Sequence, residues 1–384
     1  MLIEPHGGTL VDRKLKEDEA KEALERARAL PQVRLSPEMA QDTVNIANGI
    51  FSPLEGFLAK EDFESVLQRG RLANGTPWTI PLVLDVSREQ ADAIGEGSDV
   101  ALVDDKGEPL AVLHVAEKYS YSKEEYAQQV YGTTDAAHPG VVRTQSLEEI
   151  LVAGEIDLVR EPRHQFDSYN LSPKETRFLF KEKGWNSVVA FQTRNVPHTG
   201  HENLHKTVLG LVDGLYIQPI IGRKKPGDFK DSFILKAYEA LLENYYVKDR
   251  VVFSILPTEM RYAGPREAIN HAIMRKNYGC THLIIGRDHA GVGNFYHPEA
   301  AIEIFDDYED IGIQPITIRG DFFYCRVCEQ ISSDRTCPHP EEKHIPFSGT
   351  KIREMIKAGQ PPPKQIMRPE VFEVLKGKES PFVE

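Results

Sequence analysis

The rhythm of apolar and polar positions along this chain changes near residue 165. Before it, short apolar stretches are broken by turns, as in "TVNIANGIFSPLEGF", "WTIPLVLDV" and "DVALVDDKGEPLAVLHV". "DDKGEP" between "VALV" and "LAVLHV" predicts a hairpin connection. The main exception is "DRKLKEDEAKEALERARAL", which is helical in pattern. A mostly β, barrel-like domain is predicted over residues 1–165.

From "SPKETRFLFKEKGW" onward, strand-length apolar runs alternate with helical segments. "NSVVAFQ", "GLYIQPIIG", "RVVFSILP", "THLIIGRDH" and "IQPITI" predict strands. "TGHENLHKTVLGLV", "DSFILKAYEALLENYY", "GPREAINHAIMRKNYG" and "HPEAAIEIFDDY" predict helices between them. This alternation predicts an α/β fold with a doubly wound parallel sheet over residues 166–320. Residues 321–384 predict a cysteine-bearing segment, a Ser-initiated helix ended by Gly359, a proline break and a second helix. Ligands of such sheets bind beyond the carboxyl ends of strands. Two segments fall there: "FQTRNVPHTGHENLHK", residues 191–206, and "GRDHAGVG", from residue 286.

Composition narrows the chemistry. A length of 384 residues implies two or three domains. No apolar run approaches the ~20 residues of a membrane span, and the N-terminus lacks a signal-peptide core, so a cytoplasmic protein without a membrane partner is expected. The formal net charge of −13 argues against nucleic-acid binding. An anionic substrate must therefore meet a local cluster of donors.

The first segment supplies such a cluster. Gln192, Thr193, Arg194 and Asn195 follow the strand, and His198 and His201 flank Thr199 and Gly200. A helix N-terminus favours phosphate, and Gly200 allows close backbone approach. His198 and His201, three apart, can share one face of the first turn and donate to polyphosphate oxygens. Arg194 offers a planar fork to a tetrahedral oxyanion. The rival reading is a zinc pair at the two histidines, or a capped helix with surface histidines. Four polar residues at a strand-to-helix turn favour phosphate chemistry. No Gly-x-x-x-x-Gly-Lys-[Ser/Thr] is present, which argues against a P-loop kinase domain.

In the second segment Gly286, Arg287, Asp288, His289 and Ala290 follow a strand. Small residues there bring backbone amides near a nucleotide, and Arg287 and His289 add cationic donors. "FSGTKIREMI" sets Ser348, Thr350 and Arg353 at a helix start, suited to a phosphate.

"CRVCEQISSDRTCPHPEEKH" carries Cys325, Cys328 and Cys337, then His339 and His344. Three cysteines and a histidine predict a closed, structural zinc site. His344 is the preferred fourth ligand, because one residue alone separates His339 from Cys337; His339 is the alternative. A redox Cys-x-x-Cys would not account for Cys337 or the histidines. Cys280 reads as a buried core thiol.

Five ordered motifs, "NGIFSPLEGFL", "VYGTTDAAHPGV", "QTRNVPHTGH", "GRDHAGVG" and "SGTKIR", resemble those of the ATP sulfurylases, from about residue 5 to 357. The resemblance implies a PUA-like N-terminal barrel followed by a nucleotidyltransferase α/β domain. It implies ATP and sulfate converted to adenosine 5′-phosphosulfate and pyrophosphate, or the reverse, with Mg2+. Catalysis would fall to Thr193, Arg194 and Asn195, and sulfate to Gln192, Arg194 and the Ala290 backbone. Gln192, Thr193, Arg194, Asn195, His198, His201, Gly286, Arg287, Asp288 and His289 would contact ATP. In one departure, "RNVPH" shifts a proline by one position relative to many members, keeping the Arg-to-His spacing. A homodimer is a further expectation, and sulfate assimilation and sulfur oxidation are both compatible. The alternatives are another adenylyl- or cytidylyltransferase of the same sheet type and, behind it, a zinc-containing nucleic-acid-binding protein.

Overall fold

A computed structural model describes residues 2–377 and 379–384. Contacts divide the chain into two compact units that interleave along the sequence. The first runs up to Asn186 and takes in Thr258–Thr317; the second joins Ser187–Pro257 to Ile318–Glu384.

In the first unit a six-stranded sheet runs Gln32–Arg34, Asp99–Val103, Pro109–Ser120, Ile150–Leu158 and Gly56–Phe57, with Leu84–Val86 also on Ile150–Leu158. Asp99–Val103 and Pro109–Ser120 form the predicted hairpin. Its turn is tied by Asp104, whose Oδ1 accepts from the Lys106 and Glu108 amides at 2.9 and 3.0 Å. Gly56, in the motif "NGIFSPLEGFL", sits where a side chain would strike the Gly154 carbonyl, so the two strands can touch only through glycine. Helix Pro265–Asn277 and strand His282–Gly286 belong to this unit, and so does the neighbouring strand Gln314–Ile318 up to Thr317. Cys280 is fully buried, and burial pushes its thiol far above the usual range, as befits a core residue. "HPEAAIEIFDDY" is less helical than its pattern predicts: Ala300–Glu303 is one short α-turn that tightens to a 3-10 turn over Ile304–Asp307.

In the second unit strand Gly214–Ile221 pairs in parallel with Val188–Thr193, Val251–Phe253 and Leu256–Pro257. All eight residues of Gly214–Ile221 are buried, the signature of a parallel strand covered on both faces. Helix Asp231–Tyr245 packs against helix Pro369–Leu375. A three-stranded antiparallel sheet holds Phe322–Cys325 between Gln330–Ser333 and His344–Pro346. Helix Gly349–Lys357 follows, capped by Ser348, whose hydroxyl accepts from the Lys351 amide.

Candidate functional site

Strand Val188–Thr193 delivers Gln192 and Thr193 to its carboxyl end, and helix Thr199–Leu209 starts six residues later. Between them the Asn195 amide donates to Thr193 Oγ1 at 3.1 Å, a local turn that faces the strand end. Arg194 is anchored beyond the next strand: its Nη2 donates to the Arg223 carbonyl at 2.9 Å and lies 3.8 Å from Asp228 Oδ2. Arg353 Nη2 donates to Asn195 Oδ1 at 3.0 Å, so this arginine engages the turn rather than standing apart at its own helix start.

His198 and His201 share a face, as their spacing predicts, and stack with centroids 3.7 Å apart. They also cap the helix reciprocally. The His201 amide donates to His198 Nδ1 at 3.3 Å, and the His198 amide donates to His201 Nδ1 at 3.4 Å. Both Nδ1 atoms are thus acceptors, and a neutral ring then carries its proton on Nε2. Burial pushes His201 down to about 4 and, with its histidine neighbours, holds His198 and His205 well below the usual range. The pair therefore presents two neutral Nε2–H donors and no cation. Gly200 also has a packing role. A Cβ there would come within 2.9 Å of the His198 ring and 3.0 Å of Phe347, so glycine makes room for the rings. Phe347 lies flat on His198, 4.9 Å away and 7° from parallel.

These neutral histidines set a pH dependence. Their folded pKa lies below the ordinary value near 6.5, so between 6.5 and about 4 the unfolded chain binds protons that the folded one refuses. Stability is complete above 6.5 and falls as pH drops, on the order of 1 kcal/mol per pH unit for each such histidine. Thermal melts from pH 7 to 5 check this: Tm falls with pH, and His201→Gln flattens the slope.

Several partners escaped sequence reasoning. Glu202 is almost wholly buried, and Arg368 grips it with two bonds of 2.8 and 2.9 Å. With Lys206 these bonds outweigh burial and hold its carboxyl below the usual range, which fixes the helix carrying the histidines. Lys224, buried in "GRKKPGD", pairs with Asp231 at 2.8 Å. A third cation-rich strand end could have been noticed there; the pairing of residues 202 and 368 has no local signal.

The turn after strand His282–Gly286 lies in the first unit. Asp288 and Ala290 both adopt left-handed backbone, at φ 54° and 56°, where non-glycine residues are strained. The turn is held by the Asp288 amide on the Pro298 carbonyl at 2.8 Å and the Gly264 amide on the Ala290 carbonyl at 3.0 Å. His289 is not the cationic donor expected from its sequence setting. Burial, together with His271 and Arg275, holds it well below the usual histidine range.

The cysteines converge as predicted, with one correction. Cys325, Cys328, Cys337 and His339 place their ligand atoms within 4.8 Å of one another; His344 is outside that set. His339 Nδ1 lies 3.6, 3.3 and 3.6 Å from the three sulfurs, and Cys328 and Cys337 are 3.8 Å apart. Tetrahedral zinc, with sulfur at about 2.3 Å and nitrogen near 2.0–2.1 Å, requires spacings of roughly 3.8 and 3.6 Å. The donor set fits a metal ion of that kind. His339 succeeds despite its short tether to Cys337 because it uses the ring nitrogen nearer its backbone. The His344 ring is stacked on Phe323 at 3.6 Å and touches only Cys337 among the sulfurs.

The ATP-sulfurylase family profile matches residues 167–378, and a PUA-like domain profile matches 3–161. The chain belongs to the ATP-sulfurylase family. A sulfate adenylyltransferase of Pyrococcus abyssi is 52% identical over the full length of both chains, and one of Hyperthermus butylicus is 51% identical over all of this chain and 98% of its own. Among solved structures, a hexameric APS kinase from Thiobacillus denitrificans superposes with a TM-score of 0.75 over 97% of this chain and 68% of that one. At 24% identity that likeness speaks to fold alone. The fold is thus a PUA-like N-terminal domain followed by a nucleotidyltransferase α/β domain with a parallel sheet. No helix among the described residues is long and apolar enough to cross a membrane.

Proposed function

We propose that this sulfate adenylyltransferase joins ATP and sulfate by direct in-line displacement at the α-phosphorus, releasing pyrophosphate, and runs the same step in reverse. The activity itself follows from family membership and from full-length relatives of that name; the residue roles are our reading. Gln192 and Arg194 hold sulfate, and the Ala290 amide adds a backbone donor. Thr193, Arg194 and Asn195 carry catalysis, with Gln192 also touching the nucleotide. Gly286, Arg287, Asp288 and His289 contact the nucleotide, and His198 and His201 donate to its phosphates.

The observation that carries this reading is the reciprocal cap of His198 and His201. It commits each Nδ1 to the backbone and leaves an Nε2–H to donate where charge grows on the departing pyrophosphate. Sulfate is a weak, fully ionised nucleophile at neutral pH, so a general base has no proton to remove. Catalysis rests on alignment and on donors that need no reorganisation. ATP enters as its magnesium complex, the ion neutralising phosphate charge when bound.

Zinc, held by Cys325, Cys328, Cys337 and His339, is the structural metal in this reading. Four protein ligands leave no open position for catalysis. A cytoplasmic setting and a homodimer complete the proposal.

The test is pyrophosphate-dependent formation of ATP from adenosine 5′-phosphosulfate, coupled to stereochemistry. Robust ATP formation is expected, with inversion at a chiral α-phosphorothioate. Retention would mean a covalent intermediate and would sink the direct displacement.

A further inference from the structure

Helix Pro265–Asn277 buries three ionisable side chains to which the chemistry above gives no part, Glu267, His271 and Arg275. Glu267 and His271 are each 1% exposed and lie one helical turn apart. Glu267 accepts from the Arg261 amide at 2.8 Å and from the Ala263 amide at 3.0 Å, and its Oε1 lies 3.4 Å from His271 Nε2. On its other side, His271 Nδ1 lies 3.0 Å from His289 Nε2, the rings meeting nearly edge to face.

The protons along this row can be placed. Burial would raise Glu267, but His271 and the two amides outweigh it and keep the carboxyl ionised. A carboxylate only accepts, so His271 carries a proton on Nε2. Burial keeps His271 below its usual range, so the neutral ring has a bare Nδ1. His289 must then donate its Nε2–H to that atom, and being neutral itself it has no proton on Nδ1. The same carboxylate reaches the neighbouring position. It pins the amides of 261 and 263, and the next amide in line, that of Gly264, donates to the Ala290 carbonyl at 3.0 Å.

We propose that Glu267 and His271 are positioning residues: they fix His289 as a hydrogen-bond acceptor, through Nδ1, for a hydroxyl or amine donor of the nucleotide, and they set the Ala290 backbone. This rests on the reading that the turn 286–289 takes the nucleotide. It reverses the role that the sequence suggests for His289, from a cationic donor to a neutral acceptor facing a donor.

The test compares His271→Asn with His271→Gln in the full-length, metal-loaded protein. Asparagine can place its amide oxygen near the position of Nδ1 and keep an acceptor for His289. Glutamine can reach Glu267 but offers His289 no acceptor at that position. Imidazole ¹⁵N spectra report the His289 tautomer, and kinetics in the sulfate-consuming direction separate KM for ATP from kcat. We expect an Nε2–H tautomer at His289 in the native protein and in H271N. In H271Q we expect its loss, with a rise of about tenfold in KM for ATP, the order of one hydrogen bond lost in a desolvated site, exceeding any fall in kcat. Repeating the pair with 2′-deoxy-ATP and with a triphosphate lacking the 6-amino group identifies the donor, because the analogue without it no longer distinguishes H271Q from the native protein.

An unchanged tautomer in H271Q overturns the network and leaves the nucleotide reading of the turn standing. A switched tautomer with an unchanged KM for ATP overturns that reading, and this proposal with it. If H271Q does not fold, the native spectrum still decides, since a proton on His289 Nδ1 is incompatible with the proposal.

Discussion

Arg194→Ala lowers ATP formation from adenosine 5′-phosphosulfate by about 10³-fold or more, the range seen when a fixed cationic or oxyanion donor is removed from a transferring phosphoryl or acyl group. The expectation comes from how the side chain is held. It sits at the end of strand Val188–Thr193 with Nη2 on the Arg223 carbonyl at 2.9 Å, and Asp228 is 3.8 Å away. Those contacts aim the guanidinium before any substrate arrives, so little reorganisation is left for the moment of reaction. Lysine restores the charge but not the planar fork, so Arg194→Lys recovers little of the loss. The strand core ends before this residue, so melting temperature and metal content stay near native values. An alanine variant that keeps most of its activity would remove the central claim about the site.

With zinc in the cysteine cluster, as proposed, its loss is expected to unsettle the histidine pair as well as the local fold. Structural zinc contributes on the order of 10 kcal/mol in small domains that fold around it, and the three strands of the sheet beside the ligands, Phe322–Cys325, Gln330–Ser333 and His344–Pro346, are all short. Strand His344–Pro346 pairs with Phe322–Cys325 and leads straight into Phe347, whose ring lies on His198. Four residues into the helix that follows is Arg353, which donates to Asn195. Cys328→Ser should therefore empty the site, lower Tm by about 10 °C or more, and cut activity without touching a substrate-facing residue. The histidines discriminate between ligand sets. His339→Ser releases the metal and behaves like Cys328→Ser, whereas His344→Ala retains a full equivalent of zinc by elemental analysis. Metal loss from H344A with retention in H339S would reverse the assignment.

What could be read along the chain was what depends on local spacing. Strand-length apolar runs between helical segments announce a parallel sheet, because burial on both faces leaves no alternation in a strand such as Gly214–Ile221. Gln192 to His201 fall at a strand end, and a three-residue step puts two histidines on one helical face, so the donor cluster was legible without coordinates. The cysteine spacing announced, for the same reason, a cluster whose ligand atoms converge as a metal ion would need. Spacing says nothing about which ring nitrogen faces which partner. His339 rather than His344 completes the cluster because of the course of the turn after Cys337 and the stacking of His344 on Phe323.

Tertiary packing alone decided the protonation states and the anchors. His198 and His201 read as phosphate donors in the sequence and His289 as a cation; burial makes all three neutral, with tautomers fixed by backbone amides or by a second histidine. Glu202 meets Arg368 across 166 positions, and His271 meets His289 across 18. A sequence specifies such pairs only through the whole fold, since desolvation and long-range hydrogen bonds arise when distant segments exclude water together. The kind of chemistry was therefore written locally, in residue type and period. The charge and direction of each donor were settled by burial.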